Sequence, residues 1–427
     1  MMSSILSHIP IVNRLVGSGS SSRAIHLPPV ETHGVETNPD RRARCLKHLL
    51  KANHVNYSVV YHNLQFDNHN PHILCSAYLL GADEHQLNTI YDEEIKVLEP
   101  WKPSPAEVVD SDWRDFLGDK RYQRAYLDFF EDKLAMKFSY DWKKEVSHFM
   151  FSGEQPLFHG LIGGLGHPLI HLGYAFEMDS KEIAMEALTL SAVQYNFFHK
   201  YLDDPSYTKP SPLEADSPLD LLIQMSKDKR FDKIPAPELG DLESIFEKHE
   251  SLILEYWNGW TLDDPVKQFE LSQEAAVALL VATVRPGTHA YNFLIVHLLT
   301  TSHAVRTLLS FIPEKHHIAL VREWWLLVIA IFMVKGRPMP DPDNVEKDLK
   351  GKNWTYVEDK ALTSPWATDA HYVKGKQHCQ SLSEPQHSPS VIAIRSMREA
   401  ARTWGDVREQ YLHAAVTFVD NFNGWTF

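Results

Sequence analysis

The chain has 427 residues, of which 44% are hydrophobic and 23% are charged. Its 42 basic and 56 acidic side chains give a formal net charge of −14, which argues against a nucleic-acid-binding protein because such proteins carry a basic surface. The three cysteines are too few and too scattered for a disulfide framework or a CxxC metal site, whereas histidine is unusually frequent, with 24 copies.

The N-terminal segment has a short apolar patch and a glycine- and serine-rich run, but it lacks the charged start and long apolar stretch of a secretory signal. We therefore expect residues 1–24 to form a flexible leader and residues 25–427 to form one folded domain. The longest apolar run, Trp324–Val334, has 11 residues, so it predicts a buried core helix rather than a bilayer span. These features predict a cytoplasmic protein without a membrane span.

Helical spacing of apolar residues dominates the rest of the chain, while alternating strand patterns are nearly absent. The fold class we predict is all-α, a single large irregular helical domain with negligible β-structure. Pro338–Trp366 is expected to be a polar surface connection. The predicted helices are Arg42–Ala52, Ile73–Leu80, Arg121–Lys137, Lys181–Lys200, Ser217–Ser226, Leu242–Trp257, Ser272–Val284, Ala290–Ser310, His317–Val334 and Val391–Asp420.

Common catalytic motifs are missing from the sequence. It contains no GxxxxGK[ST] loop, no HExxH and no GxSxG. The glycine-rich run Gly160–Pro168 lacks the GxGxxG spacing and follows no predicted strand, so it does not indicate a dinucleotide site. Glu-x-x-His spacings lie outside long apolar helices, which makes a di-iron bundle a weak interpretation.

Two histidine pairs stand where proline marks the start of a helix. His69 and His72 flank Pro71, and Asn70 is the expected N-cap. His167 and His171 lie four residues apart at the second such start and share one helical face. A helix N-terminus disfavours imidazolium, and neutral imidazole is the form that binds metal. Each pair alone is more often a capping or core feature, but two pairs of the same design favour a metal site.

Two further segments carry histidines. His297 lies within an apolar run, so we expect it to be buried and to need a metal or a hydrogen bond as partner, and Thr300 one turn later reaches the same region. His303 falls on another face and is expected to be solvated or to act as a cap. His371 and Lys374 lie on one helical face, which by itself favours a solvated basic stripe.

Four stretches together resemble the questin oxidase-like family of fungal secondary-metabolite enzymes, and the resemblance runs from about Ile25 to the C-terminus. HPLIHLGYAFE is the most specific of them. The stretches are NHNPHILCSAYLLGA (Asn68–Ala82), HPLIHLGYAFE (His167–Glu177), FLIVHLLTTSH (Phe293–His303) and DAHYVK (Asp369–Lys374).

The resemblance implies oxidative opening of the central quinone ring of an anthraquinone, giving a benzophenone-type acid. It also implies a mononuclear non-haem Fe(II) centre held by histidines and by a lysine carbamate derived from CO2. An anionic ligand suits such a centre, because neutral imidazoles leave a buried dication uncompensated. The matching positions are His167, His171, His297, one of His69 or His72, and Lys374 for the metal, with Thr300 and His371 in catalytic roles beside it.

We therefore expect an oxygenase, specifically a dioxygenase, that takes a small aromatic polyketide as its hydroquinone together with O2. A separate quinone reductase would be the partner that uses NADPH. The first alternative is a flavin-free Baeyer–Villiger-type monooxygenase that uses NADPH directly. An all-α zinc hydrolase is the second, because histidine-rich helices also suit a hydrolytic metal. A non-catalytic helical binding protein with dispersed histidines is the third.

Overall fold

The computed structural model describes residues 24–153, 155–234, 238–288, 290–364 and 389–426. Within these ranges the protein is helical, and its sheet structure is one hairpin of two short antiparallel strands, β1 (Val60–Tyr61) and β2 (Phe66–Asp67). The all-α prediction is confirmed. The leader predicted for residues 1–24 lies almost wholly outside the described residues.

Sixteen α-helices follow one another along the described ranges, in irregular directions and with short 3₁₀ turns between several of them. They are α1 (Arg41–Asn56), α2 (Asn70–Leu79), α3 (Glu84–Glu94), α4 (Gln123–Met136), α5 (Trp142–Phe151), α6 (His167–Met178), α7 (Lys181–Val193), α8 (His199–Asp203), α9 (Pro218–Lys227), α10 (Leu242–Gly259), α11 (Pro265–Val281), α12 (Phe293–Leu308), α13 (His317–Val334), α14 (Trp354–Thr363), α15 (Pro389–Trp404) and α16 (Gln410–Asn421).

Three sequence predictions are wrong in detail. The single helix predicted for Lys181–Lys200 ends at Val193, and a separate short helix, α8, begins at His199. The single helix predicted for Val391–Asp420 is two helices, α15 and α16, because the chain turns at Gly405, whose φ of 80° is left-handed. The polar connection predicted for Pro338–Trp366 contains α14, which begins where the side chain of Asn353 accepts a hydrogen bond from the backbone N–H of Tyr356.

The centre of the protein is formed by α6 and α12, which pack against each other and are buried along their whole length. Helix α7 covers α6 on one side, and α11, α13 and α15 surround α12. Because every residue of α6 and α12 is buried, each polar side chain on them needs a partner inside the protein. These two helices carry most of the candidate site.

Helix α13 contains the apolar run Trp324–Val334, for which the sequence predicts a buried core helix. The segment Glu314–Val334 is long and apolar enough to cross a membrane by length and composition, but 78% of its most apolar window is buried inside the protein. The tryptophans in it are packed in the core and donate to backbone carbonyls of neighbouring helices, Trp324 to Leu298 O and Trp325 to Tyr256 O. The segment is a core helix in this structure.

Candidate metal centre

The hairpin and the start of α2 place the first histidine pair. Helix α2 begins at Asn70, one residue earlier than expected, with His69 as the N-cap residue, so the assignment of Asn70 as the cap is wrong. The reason is that Asn68 Oδ1 accepts from the Asn70 backbone N–H at 3.0 Å and performs that role. Both asparagine amides also donate to Asn53 Oδ1 on α1, which ties this turn to the core.

The glycine-rich run before α6 positions the second pair by close packing. A Cβ at Gly163 or Gly164 would collide with Gln194 at the end of α7. Gly166 has a φ of 85°, and a Cβ there would collide with the methyl group of Thr301 on α12. The glycines therefore let this turn lie against two helices, so that α6 starts with His167 directed into the core.

Three histidines converge in this region, one from each of three segments. His69, His167 and His297 each offer one ring nitrogen, and the three atoms lie within 4.8 Å of one another. The Nε2 atoms of His69 and His167 are 2.9 Å apart. His297 donates from Nδ1 to the carbonyl of Phe293 at 2.7 Å, which leaves its Nε2 as the atom that can bind an ion. The sequence left His69 and His72 as alternatives, and in this geometry His69 joins the cluster.

The other two histidines form a pair directly beside this cluster. His72 Nε2 and His171 Nδ1 are 2.6 Å apart, and the ring of His72 lies 6.0 Å from that of His69. His72 is completely buried, stacks on the ring of Tyr174, and its Nδ1 has no hydrogen-bond partner among the described residues. The structure thus brings all five predicted histidines into one region.

Burial keeps three of these imidazoles, those of His72, His167 and His297, neutral. It lowers the pKa of His167 and of His297 to about 3, in each case mainly by desolvation of the charged form. Burial also lowers the pKa of His72 well below its ordinary value, and the neighbouring histidines add to the effect. Neutral imidazole with an unshared electron pair is the form that binds a metal ion.

Two buried carboxylates belong to the region although the sequence reasoning missed them. Asp67 Oδ2 lies 3.3 Å from His167 Nδ1, and burial raises the pKa of Asp67 to about 6. Glu186 Oε2 lies 3.6 Å from His171 Nε2. A signal existed for Glu186, because it interrupts the apolar residues of α7. For Asp67, the only signal in the sequence was its position directly before the Asn-His-Asn-Pro-His stretch.

The residues fit a metal ion by the chemistry of their donors. Nitrogen atoms bound at about 2.1 Å and at right angles on one ion would be about 3 Å apart, close to the 2.9 Å between His69 Nε2 and His167 Nε2. An all-imidazole set suits iron, zinc, copper or nickel. The unpartnered, buried Nδ1 of His72 is a further donor in the same region.

The remaining predicted residues have different positions. Thr300 is buried one turn after His297, and its hydroxyl donates to the His297 carbonyl at 3.3 Å. His371 and Lys374 lie outside the described residues, so the structure places neither of them. The expectation that His303 is solvated or a cap is wrong: it is 5% exposed and faces Arg395 Nη1 at 2.5 Å, because α15 covers this part of α12.

Comparison with known proteins agrees with the sequence resemblance. A model of the questin oxidase-like family matches residues 66–378. A Baeyer–Villiger oxidase of Pestalotiopsis microspora is 23% identical over 387 residues, which cover 83% of this chain and 85% of that protein. A Baeyer–Villiger oxidase of Emericella nidulans is 28% identical over 39% of each chain, and a questin oxidase of Aspergillus fumigatus is 25% identical over 45% of each chain.

The alignments with the Emericella and Aspergillus proteins thus span less than half of those relatives, whereas the family match covers most of this chain. The resemblance seen in the sequence is confirmed, and the protein belongs to the questin oxidase-like family.

Proposed function

We propose that this protein is a non-haem iron oxygenase that opens the central quinone ring of an anthraquinone with O2, in the biosynthesis of a fungal polyketide. The family and the names of its relatives, questin oxidase and Baeyer–Villiger oxidase, support the oxidoreductase class and the type of substrate. The observation that carries the metal is the convergence of His69, His167 and His297, of which His167 and His297 are buried and neutral.

The iron would be held by these three histidines, with His171 and His72 beside them and with a carbamate of Lys374 as an anionic ligand. Fe(II), when bound, supplies the activation of O2 that an organic side chain does not provide. The protein's own contribution is to direct the ring nitrogens inward. The Phe293 carbonyl holds Nδ1 of His297, and the Gly164 carbonyl holds Nδ1 of His167 at 2.5 Å, so Nε2 of each ring faces the cluster.

The substrate would approach from the side of His69, which is partly exposed, whereas His167 and His297 are buried. The ring of Phe293 lies 5.9 Å from His69 and 4.9 Å from His297, and Trp425 packs behind Phe293. Flat aromatic side chains suit a polycyclic phenolic ligand. This wall would hold the substrate ring beside the metal and limit the access of water.

The hydroquinone form of the substrate makes the reaction balance without another reductant. A hydroquinone and O2 together contain the atoms and electrons of a hydroxybenzophenone carboxylic acid, in which one bond between the central carbonyl carbon and an outer ring is broken. The alternative reaction, a direct Baeyer–Villiger oxidation of the quinone, needs NADPH to reduce the second oxygen atom to water. The packing of Gly163 and Gly164 against Gln194 gives that glycine run a structural role at the start of α6.

The test is O2 uptake by purified protein supplied with Fe(II) and an anthraquinone reduced beforehand without NADPH. We expect uptake coupled to loss of the hydroquinone, no turnover under anaerobic conditions, and no turnover after iron removal. Full activity of metal-free protein would contradict the iron centre. Strict dependence on NADPH with the oxidised quinone would favour the direct monooxygenase, and anaerobic turnover with Zn²⁺ would favour the hydrolase.

The carbamate needs its own experiment. Lys374→Ala protein should retain less iron than the wild type, and added bicarbonate should restore iron only to wild-type protein that was depleted of CO2. Unchanged iron content and activity in Lys374→Ala protein would remove the carbamate from the proposal.

A further inference from the structure

In three of these histidines, a ring nitrogen that faces away from the cluster lies close to a hydrogen-bond acceptor. For His167 and His297 the acceptors are backbone carbonyls, which accept from Nδ1. His171 has contacts at both nitrogens: its Nδ1 lies 3.2 Å from the His167 carbonyl and 2.6 Å from His72 Nε2, and its outer nitrogen, Nε2, faces the carboxylate of Glu186 at 3.6 Å. Neither the Nε2 of His171 nor the Oε2 of Glu186 has another hydrogen-bond partner among the described residues. A ring nitrogen and a carboxylate oxygen, neither with a hydrogen-bond partner among the described residues, therefore face each other in the buried interior.

The second oxygen of Glu186 is held by His54 from α1. Glu186 Oε1 accepts from His54 Nδ1 at 3.0 Å, and Glu131 Oε1 accepts from His54 Nε2 at 3.0 Å. Burial alone would lower the pKa of His54, but the hydrogen bonds to the two carboxylates outweigh it and raise the pKa to about 10. His54 is consequently an imidazolium with both N–H groups engaged. It prevents Glu186 from rotating away from His171.

Glu131, His54 and Glu186 form a chain of hydrogen-bonded charged groups that runs from the surface inward. Glu131 is 44% exposed on its side chain, His54 7% and Glu186 2%. His54 donates to Glu186 Oε1 on one side, and His171 Nε2 lies 3.6 Å from Glu186 Oε2 on the other. The cation of His54 balances one of the two carboxylates. One negative charge is left over, and its inner end lies beside His171.

We propose that Glu186 is a positioning residue for the metal centre: it accepts the N–H of His171 Nε2 and so leaves His171 Nδ1, which faces His72 Nε2 at 2.6 Å beside the cluster, unprotonated and able to bind the ion, while His54 holds Glu186 in place. This inference rests on the proposed function, because it assumes that the histidines bind a metal ion. A carboxylate that accepts from a metal-binding histidine fixes the tautomer of the ring and raises its basicity. The assignment predicts ligation by Nδ1 at His171 and by Nε2 at His167 and His297.

The same arrangement bears on the charge of the site. A dication among neutral imidazoles in an apolar interior needs nearby negative charge. Glu186 supplies one such charge at His171, and Asp67, 3.3 Å from His167 Nδ1, supplies a second one when it is ionised. Asp67 and Glu186 thus each place a buried carboxylate beside one histidine of the site, in addition to Lys374.

Glu186→Gln tests the proposal with an almost isosteric change. Because protonated His54 would donate to the amide oxygen, the amide NH₂ would face His171 Nε2 and favour the wrong tautomer. We expect Co²⁺, titrated into metal-free protein and followed by its visible absorption, to bind about 10- to 100-fold more weakly than in the wild type. Glu182→Gln is the matched control, since Glu182 lies one turn earlier on α7 and pairs with Lys51 instead.

A double-variant cycle separates positioning from a general structural effect. In His171→Ala protein, Glu186→Gln should cause no further loss of Co²⁺ affinity, because the carboxylate acts through the missing ring. An additional 10-fold loss in that background would overturn the proposal, as would wild-type affinity in Glu186→Gln protein. If Glu186→Gln protein does not fold, His54→Gln replaces it and should weaken Co²⁺ binding by a smaller factor, with unchanged affinity again overturning the proposal.

These outcomes are distinct from failure of the proposed function. Wild-type protein that binds no Co²⁺ and no Fe²⁺ would overturn the iron oxygenase and this inference together. Tight binding in the wild type with the same affinity in Glu186→Gln protein would overturn only the role of Glu186.

Discussion

Two buried polar clusters lie on the same pair of helices, α6 and α12, and they differ in whether the protein supplies a cation to them. In the first, His167 and His171 of α6 and His297 of α12 lie among other imidazoles. In the second, Glu177 of α6 and His303 of α12 both contact Arg395, a cation that the protein itself supplies from α15.

The difference explains which cluster is structural. Burial opposes ionisation of Glu177, but the Arg395 guanidinium outweighs it and lowers the pKa of Glu177 to about 2, so this ion pair is complete within the protein. In the histidine cluster, burial instead lowers the pKa of His167 and of His297 to about 3, and Nε2 of each of these two rings faces the cluster. A cluster with its own cation holds helices together, whereas a cluster of converging electron pairs is suited to an added cation.

Removing the Arg395 guanidinium should strongly destabilise the second cluster. Arg395→Met would leave Glu177 buried without its partner, so we expect a loss of about 3–5 kcal/mol in the free energy of unfolding, measured by urea denaturation. Metal content per folded molecule should not change. Arg402→Met, in an exposed pair with Glu399, is the control and should have a small effect. Loss of metal without loss of stability would show that the two clusters are one functional unit.

Adding a cation to the histidine cluster should have the next largest effect. An ion that binds only the folded state stabilises it by about 2.7 kcal/mol at a concentration 100 times its dissociation constant. Thermal unfolding with and without Co²⁺ should show this increment in wild-type and Arg395→Met protein but not in His297→Ala protein. His85→Ala, at an exposed histidine, should keep the full increment. An equal increment in His297→Ala protein would contradict the assignment of that residue.

The packing of the glycine turn can be tested separately from the metal. Gly166→Ala introduces a Cβ at a φ of 85° and against Thr301, so we expect a loss of about 2 kcal/mol together with weaker Co²⁺ binding. Gly336→Ala has a similar φ of 71° but no atom within 4 Å of the new Cβ, and it should cost less and leave metal binding intact. Equal costs in the two variants would mean that the contact with Thr301 is unimportant.

The pH dependence of stability tests the charge of His54. Its pKa is about 10 in the folded protein and near 6.5 when unfolded, so its contribution to stability is complete below pH 6.5 and is lost as the pH rises towards 10. The expected slope in this window is about 1.4 kcal/mol per pH unit. Comparing urea denaturation of wild-type and His54→Gln protein between pH 6.5 and 10 measures it, since the variant lacks this slope. Parallel curves would contradict a protonated His54.

Local signals in the sequence were sufficient for most helices and for the five histidines. Apolar spacing predicts a helix from neighbouring residues alone, and the prolines at positions 71 and 168 mark the starts of α2 and α6. Where the helix prediction failed, the deciding feature was also local but weak, such as the left-handed turn at Gly405 and the asparagine cap of α14. Short polar helices carry little periodic signal.

The sequence by itself determined the helical class, the family and the set of histidines that can serve as a site. Only the tertiary structure decided that His69 rather than His72 lies with His167 and His297, and that Asp67, Glu186 and His54 support them. The physical reason is distance along the chain: His54 and Glu186 are 132 residues apart, and no local spacing encodes such a contact. Their charges acquire a role only where folding buries them side by side.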